Sequence, residues 1–345
     1  MSLRVVHHPA YVAPMPAGHR FPMAKYGRLM AHLLEQEIVA PSQVQAPEPA
    51  PPAWLCLAHT QDYVEAVLCQ SLAAAAVRQI GLPITAGVAQ RARAATAGTV
   101  LAARLALEHG IACNTAGGSH HAFETHGSGF CVFNDVAVAA RVLLAEGRID
   151  RALVIDLDVH QGDGTASIFT GDPRVFTFSA HCRTNFPLRK QVSDLDLALD
   201  AGLEDAAYLR LLAGHLPGLL EDVRPDLVFF NAGVDPHQDD RLGRLALTET
   251  GLWRRERFVL ETCLAAGVPV AGVIGGGYAP DLDHLARLRR DGLVRTRRSA
   301  QTIYYAITGS EARALMEALH GLYCCRQSPD PGHRDASGTE ARLSL

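Results

Sequence analysis

Short apolar runs recur along this chain, and most of them stop in a polar or glycine-rich turn. They are LRVVH (3–7), ALVIDLD (152–158), RVFTFSA (174–180), DLVFFNAG (226–233) and VPVAGVIGGG (268–277). Such near-continuous hydrophobicity suits strands covered on both faces, as in a parallel sheet. Between them lie alanine- and leucine-rich stretches of helical period at 90–109, 134–147, 205–221 and 249–266. Strand–helix alternation of this kind predicts right-handed βαβ units. The expected fold is therefore α/β: a single doubly wound domain, with a central parallel sheet flanked by helices, over residues 1–325. Two stretches break the pattern. Residues 41–53, PSQVQAPEPAPPA, read as a proline-rich loop before the next helix. Residues 326–345, polar and rich in Asp, Gly and Ser, read as a disordered tail.

Composition narrows the setting. With 48% hydrophobic and 20% charged residues in 345, the chain has ample apolar material for a large core. A net charge of -4 supplies no general attraction to nucleic acid or anionic lipid, so direct nucleic-acid binding is not expected. The local run Arg287, Arg289, Arg290, Arg295, Arg297 and Arg298 reads as a solvated helix-and-loop face. No apolar run reaches membrane-spanning length, and the opening SLRVVHHPAY reads as a strand rather than a leader. The eight cysteines are scattered and form no C-x-x-C pair, so neither a thiolate zinc knuckle nor a redox pair is indicated. A reduced, cytoplasmic location is the expectation.

Ligands of doubly wound folds bind at the carboxyl ends of the strands, and polar residues gather there. Asp156, Asp158 and His160 close one strand, Ser179 the next, Asp235 follows another and Tyr278 the last. In LVIDLDVHQGDGT (153–165), alternation along a strand would put Asp156, Asp158 and His160 on one face. Two carboxylates and an imidazole at the end of a buried strand are costly unless compensated, and a divalent cation would compensate them. The plainer reading is one Asp capping the next helix and the other in a salt bridge. Asp235, taken alone, opens a turn before Pro236, and gains weight only because the predicted topology brings it to the same edge. One His and two Asp would leave a metal an open coordination position, as in catalytic sites.

Two further segments complete the set. In NTAGGSHHAF (114–123) paired glycines allow close backbone approach, and the adjacent His120 and His121 diverge too much to chelate one metal. They suit proton transfer better. A second pair, His7–His8, precedes Pro9 and reads as structural. GGGY (275–278) could present the Tyr278 hydroxyl to a developing oxyanion.

The segments GGSHHA, GFCVFND, DLDVHQGDG, NAGVDPHQDDRLG and GGGY, in this order, resemble the histone deacetylase family of the arginase–deacetylase fold, over roughly residues 3–320. DVHQGDG, HRFPMAKYGRL (19–29) and FPLRKQVSDLD (186–196) are most similar to the class IV branch and its bacterial relatives. The resemblance implies hydrolysis of the amide of an acylated lysine or a related acyl-amine. It implies zinc, or iron(II), at Asp158, His160 and Asp235, and His121 as general base and acid with His120 as electrostatic partner. Asp156 and Asp163 would bond the far sides of those histidines, Tyr278 would polarise the acyl carbonyl, and Phe130 and Phe186 would wall the substrate channel. A potassium ion would sit at Asp156 and Ser179. The chain departs from the family in reading GGSHH where many members have Pro-Gly-Gly-His-His, and in lacking the glycine loop after the position of Phe186. The expected channel mouth is differently shaped. A small-molecule, acetylpolyamine-type amidohydrolase stays open, as does a non-catalytic acyl-lysine binder, although His120, His121 and Tyr278 speak against the latter. A binuclear manganese ureohydrolase would need further carboxylates where Ser119, Pro236 and His237 stand. Acyl length, oligomeric state and the resident metal are not legible.

Overall fold

Alternate residues of the buried strands serve two different cores. Val154, Phe229 and Ala271 pack on one side of the sheet, and Leu153, Ile155, Val228, Phe230 and Val270 on the other. The computed structural model describes residues 3–279, together with the backbone of 296–299 and 302–305. In chain order the elements are β1 (Arg4–Val6), α1 (Lys25–Glu35), β2 (Val44–Gln45), α2 (Pro52–Leu55), α3 (Gln61–Leu68), α4 (Ala74–Ile80), α5 (Ala86–His109) and β3 (Ile111–Asn114). There follow α6 (Asp135–Ala145), β4 (Ala152–Asp156), α7 (Asp163–Phe169), β5 (Val175–Cys182), β6 (Leu195–Leu199), α8 (Asp205–Val223), β7 (Leu227–Asn231), α9 (Glu249–Ala265) and β8 (Val270–Val273). These eight strands form one sheet in the order β2-β1-β3-β8-β7-β4-β5-β6, parallel throughout. The α/β fold read from the sequence is the one observed.

The chain divides into two units, Met1–Val294 and Arg295–Leu345. Within the second, β9 (Thr296–Ser299) and β10 (Thr302–Tyr305) form an antiparallel pair. Arg297 and Arg298 thus lie in a strand, not on the helix-and-loop face expected of the arginine run. The other members of that run, and the expected tail at 326–345, lie outside the described residues. Among the described residues no helix is long and apolar enough to cross a membrane.

Local chemistry sets the helix starts. Thr85 accepts from the Val88 N–H at the start of α5 (3.2 Å), Asn134 from Ala137 at α6 (3.0 Å) and Thr248 from Gly251 at α9 (3.0 Å). Helix α5 carries so many alanines that it can pack closely against α6 and β3; fifteen of its residues are buried. Three strands of the central sheet escaped the sequence reading, as did β9 and β10. β2 has two residues, β3 follows directly on the alanine-rich helix α5, and β6 is an edge strand whose run LDLAL is interrupted by Asp196.

One register matters for function. Asn114, Val273, Asn231, Asp156 and Ser179 stand in a single row across β3, β8, β7, β4 and β5. The loops that leave these central strands therefore rise from a common level into one crevice, at the point where the strand order reverses.

Candidate metal centre and active site

The tandem histidines are delivered by the loop after β3. Asp135, at the start of α6, accepts hydrogen bonds from the backbone of Ser119 (2.7 Å) and Gly118 (3.1 Å) and from the Thr99 hydroxyl (2.6 Å). Gly118 has φ +79°, and a Cβ there would lie 2.5 Å from the backbone of Gly275, so no other residue fits this crossing of two loops. His120 donates its Nδ1–H to Asp156 (2.7 Å), and His121 donates its own to Asp163 (2.6 Å). Both rings are buried, with centroids 4.1 Å apart. With Nδ1 committed to a carboxylate, each ring keeps Nε2 for the crevice. Asp156 is fixed in turn by the Asn231 amide at 2.9 Å, its register partner on β7.

The second element is a three-donor cluster. Nδ1 of His160 lies 3.0 Å from Asp158 Oδ1 and 3.2 Å from Asp235 Oδ2, and all three residues are buried. The ligand atoms of this trio lie within 4.8 Å of one another. Each carboxylate has its other oxygen tied to the backbone: Asp158 Oδ2 accepts from Gly276 N (2.7 Å), and Asp235 Oδ1 from Val159 N (2.9 Å). Gly276 must be glycine, because a Cβ there would collide with the Asp235 carboxylate.

The strand argument for these residues needs correcting. β4 ends at Asp156, so Asp158 and His160 are loop residues and strand alternation does not align them. The cause is local. Asp158 N bonds back to Asp156 Oδ1 (3.2 Å) and His160 N to Asp158 Oδ1 (3.0 Å), so carboxylates take the N–H groups that a continuing ladder would use. Asp156 consequently serves His120 while Asp158 turns to His160.

Tyr278 and the two phenylalanines frame this pair of elements. The Phe186 ring stands edge-on to His121 at 4.8 Å, and Phe130 lies 6.0 Å from the Tyr278 ring. Phe130 has φ +67°, a left-handed conformation rare for a bulky side chain. Phe186 is 42% exposed, which suits the mouth of a channel. A cavity beside the histidines, which line it together with Asp158, Phe130 and Tyr278, is also bounded by Lys25, Arg91 and the glycines of both crossing loops.

Electrostatics separates the two histidines. Burial disfavours the cation on both. At His120 the carboxylates of Asp156 and Asp158 outweigh it and push the pKa up to about 9. At His121 burial prevails, helped by the neighbouring His120 charge, and the pKa falls to about 4. The surroundings thus drive the two rings in opposite directions, His120 toward the cation and His121 toward the neutral imidazole. Burial, Asp158 and Asp235 hold the Tyr278 phenol well above its ordinary range, so it stays a hydrogen-bond donor. In the cluster, burial and Asp158 push Asp235 up to about 7, while Asp158 and Asp235 overcome burial to raise His160 to about 10. The trio calls for positive charge, and a divalent cation fits its donors, one nitrogen and two oxygens.

Comparison with known proteins agrees with this geometry. The profile of the histone deacetylase domain matches residues 19–290. The chain belongs to the histone deacetylase family. An uncharacterised protein of Picosynechococcus sp. is 57% identical over 304 residues, 88% of this chain and 100% of that one. Histone deacetylase 2 of Arabidopsis thaliana is 29% identical over 294 residues, 81% of this chain and 76% of the plant protein. Among solved structures, an HDAC homologue complexed with SAHA superposes with a TM-score of 0.73 at 24% identity, covering 92% of this chain and 89% of that one. An HDAC homologue from Aquifex aeolicus gives 0.71, also at 24% identity, with 87% of each chain covered. At that identity the likeness speaks for the fold, and the fold is that of the histone deacetylases.

Sequence reasoning missed the residues that hold this family site from behind. Lys25, buried on α1, donates to the carbonyls of Gly275 (3.3 Å) and Gly277 (3.5 Å), and lies 5.3 Å from the rings of Phe21, Tyr26 and Tyr278. Asp240 accepts from the Tyr278 N–H at 2.6 Å. Asp135 and Asn231 act as described. All four lie inside the segments that carry the resemblance, HRFPMAKYGRL, GFCVFND and NAGVDPHQDDRLG, but their roles could not be read there, because each acts on a segment distant in sequence. Ser179 is the register partner of Asp156, and its hydroxyl lies 3.0 Å from His181 Nδ1.

Proposed function

We propose that this chain hydrolyses the amide of an acylated lysine or a related acyl-amine. The observation that carries the reading is two adjacent histidines, each backed by its own buried carboxylate, beside a three-donor metal cluster. Asp158, His160 and Asp235 would hold zinc, or iron(II) in its place. The ion would supply Lewis acidity to the acyl carbonyl and to a water molecule.

The residues divide the proton work. His121 is the neutral imidazole, with Nε2 free, and takes the proton of the attacking water; it later returns that proton to the leaving amine. Asp163 holds its tautomer. His120, kept cationic by Asp156, stabilises the negative charge of the tetrahedral adduct. Tyr278 donates its hydroxyl to the oxyanion. Phe130 and Phe186 admit an extended chain between them and exclude water from its flanks. A potassium ion under the site would use Asp156 and Ser179, partners across β4 and β5, with backbone carbonyls as its remaining ligands.

The acetylpolyamine alternative calls for carboxylates at the channel mouth. At the Phe130 wall the neighbouring charge is instead basic, with Arg20 5.9 Å over the ring. This charge weighs against a polycation at that wall. Turnover on an acetyl-lysine peptide, a long-chain acyl-lysine peptide and an acetylpolyamine, with metal content measured alongside, tests the reading. Hydrolysis of none of the three by metal-loaded protein overturns it.

A further inference from the structure

Arg255 is fully buried on α9, against the loops that carry the metal cluster. A buried guanidinium is costly unless its donors and its charge are matched. Here Nη1 donates to the carbonyl of Leu157 at 2.9 Å, Nη2 donates to the carbonyl of Gly233 at 2.7 Å, and the neighbouring Glu256 carboxylate supplies the counter-charge. Those two carbonyls belong to different loops. Leu157 immediately precedes Asp158 in the loop leaving β4, and Gly233 stands two residues before Asp235 in the loop leaving β7.

The two loops approach closely at this point. A Cβ at Gly233 would lie 2.5 Å from the Asp158 carboxylate and 2.9 Å from its Cα. On the far side they are already joined, because Val159 N–H binds the Asp235 carboxylate at 2.9 Å. The guanidinium closes the near side, and its planar fork bridges two carbonyls at a set spacing, which a flexible ammonium does not.

We propose that Arg255 is a positioning residue: it sets the separation of the two carboxylate-bearing loops and thereby the metal affinity of the Asp158–His160–Asp235 cluster. The inference rests on the metal reading of that cluster. The Arg255 side chain bonds to Leu157, Gly233 and Glu256 rather than to any of the three metal ligands, and takes no part in the proton transfers. Its effect is read first in binding.

The test compares wild type with Arg255→Lys, Arg255→Met and Leu216→Ala. Leu216 lies in the core on the same side of the sheet, so its truncation destabilises that layer without touching either loop. Zinc affinity is measured by competition with a chromophoric chelator, and thermal midpoints are taken on the metal-free forms. Arg255→Lys is expected to bind zinc about 10- to 100-fold more weakly, with kcat recovering as zinc is raised. Leu216→Ala is expected to melt earlier with zinc affinity unchanged. Wild-type zinc affinity in Arg255→Lys overturns the proposal, as does a Leu216→Ala variant that loses as much affinity for the same loss of midpoint. Where Arg255→Met does not fold, the lysine variant decides. Wild-type protein that takes up no zinc overturns the metal reading itself, and this inference with it.

Discussion

The chain carries two His-His pairs, and they follow neighbouring strands of the same sheet: His7–His8 after β1, and His120–His121 after β3. Their surroundings differ more than their positions. His7 meets the Thr115 hydroxyl at 2.7 Å, and His8 accepts the Ala10 N–H at 3.0 Å and so caps a single helical turn. His120 and His121 each meet a buried carboxylate. Burial depresses His7 to about 4, with help from His8, much as burial and His120 depress His121 to about 4. A lowered pKa therefore does not mark the site. What marks it is His120, raised to about 9 because β4 and the loop leaving it bring Asp156 and Asp158 against it. A histidine pair becomes machinery through what the next strand contributes.

Mutations can break this comparison or sharpen it. The largest effect is expected at the working residues: His121→Ala and Tyr278→Phe should each lower kcat on an acetyl-lysine peptide by about a hundred-fold or more. Circular dichroism should stay that of wild type, and near-normal turnover in either variant would erase the difference between the pairs.

A smaller and more discriminating effect is expected at the two carboxylates. Asp156→Asn and Asp163→Asn should each cost about 10- to 100-fold. Asp156 is a main support of the His120 cation, so its loss lowers that pKa, and the cation is surrendered at lower pH. The alkaline limb of the pH–rate profile should then move down in Asp156→Asn and stay in place in Asp163→Asn. Equal profiles would mean that the His120 charge is not used.

His59 sharpens the comparison from outside the chemistry. It is buried, with Nδ1 donating to the Phe123 carbonyl (2.9 Å) and Nε2 accepting the Asn134 N–H (2.9 Å), and burial lowers its pKa to about 4. A histidine depressed below its unfolded value near 6.5 adds stability that is complete above that pH and lost as pH falls toward the folded value. The contribution is about 3 kcal/mol across that window. Urea unfolding at several pH values should show wild-type stability falling on acidification and a flatter dependence in His59→Gln. Parallel curves would count against His59 as the source.

The smallest effects belong to the first pair. His7→Ala and His8→Ala should leave turnover near wild type and cost about 1 kcal/mol each, the worth of one hydrogen bond. A large loss of kcat in either would make the two pairs alike after all.

Much of the site was legible because its residues sit in short, dense segments at strand ends. Asp158, His160 and Asp235 do converge, His120 and His121 do find Asp156 and Asp163, and Phe186 and Phe130 do flank His121 and Tyr278. The reason first given for the metal trio was nevertheless wrong in part. Strand alternation does not apply past Asp156, because carboxylates capture the next N–H groups. Lys25, Asp135, Asn231 and Asp240 stand inside the recognisable segments and Arg255 outside them, but the role of none was legible, since each acts on a segment far from its own in sequence.

By itself, the sequence determined the α/β class, five of the eight strands of the central sheet and the residue types at their ends, because hydrophobic period and local turn chemistry act over a few neighbours. Only the tertiary structure decided that Asp158 and His160 lie in a loop rather than on a strand face, and which loops an arginine on α9 clamps together. The first follows from carboxylates that take the next N–H groups, and the second depends on the pairing of β7 with β4 and its register. That pairing joins distant segments, and the free energy that selects it comes from burying both faces of the whole sheet at once.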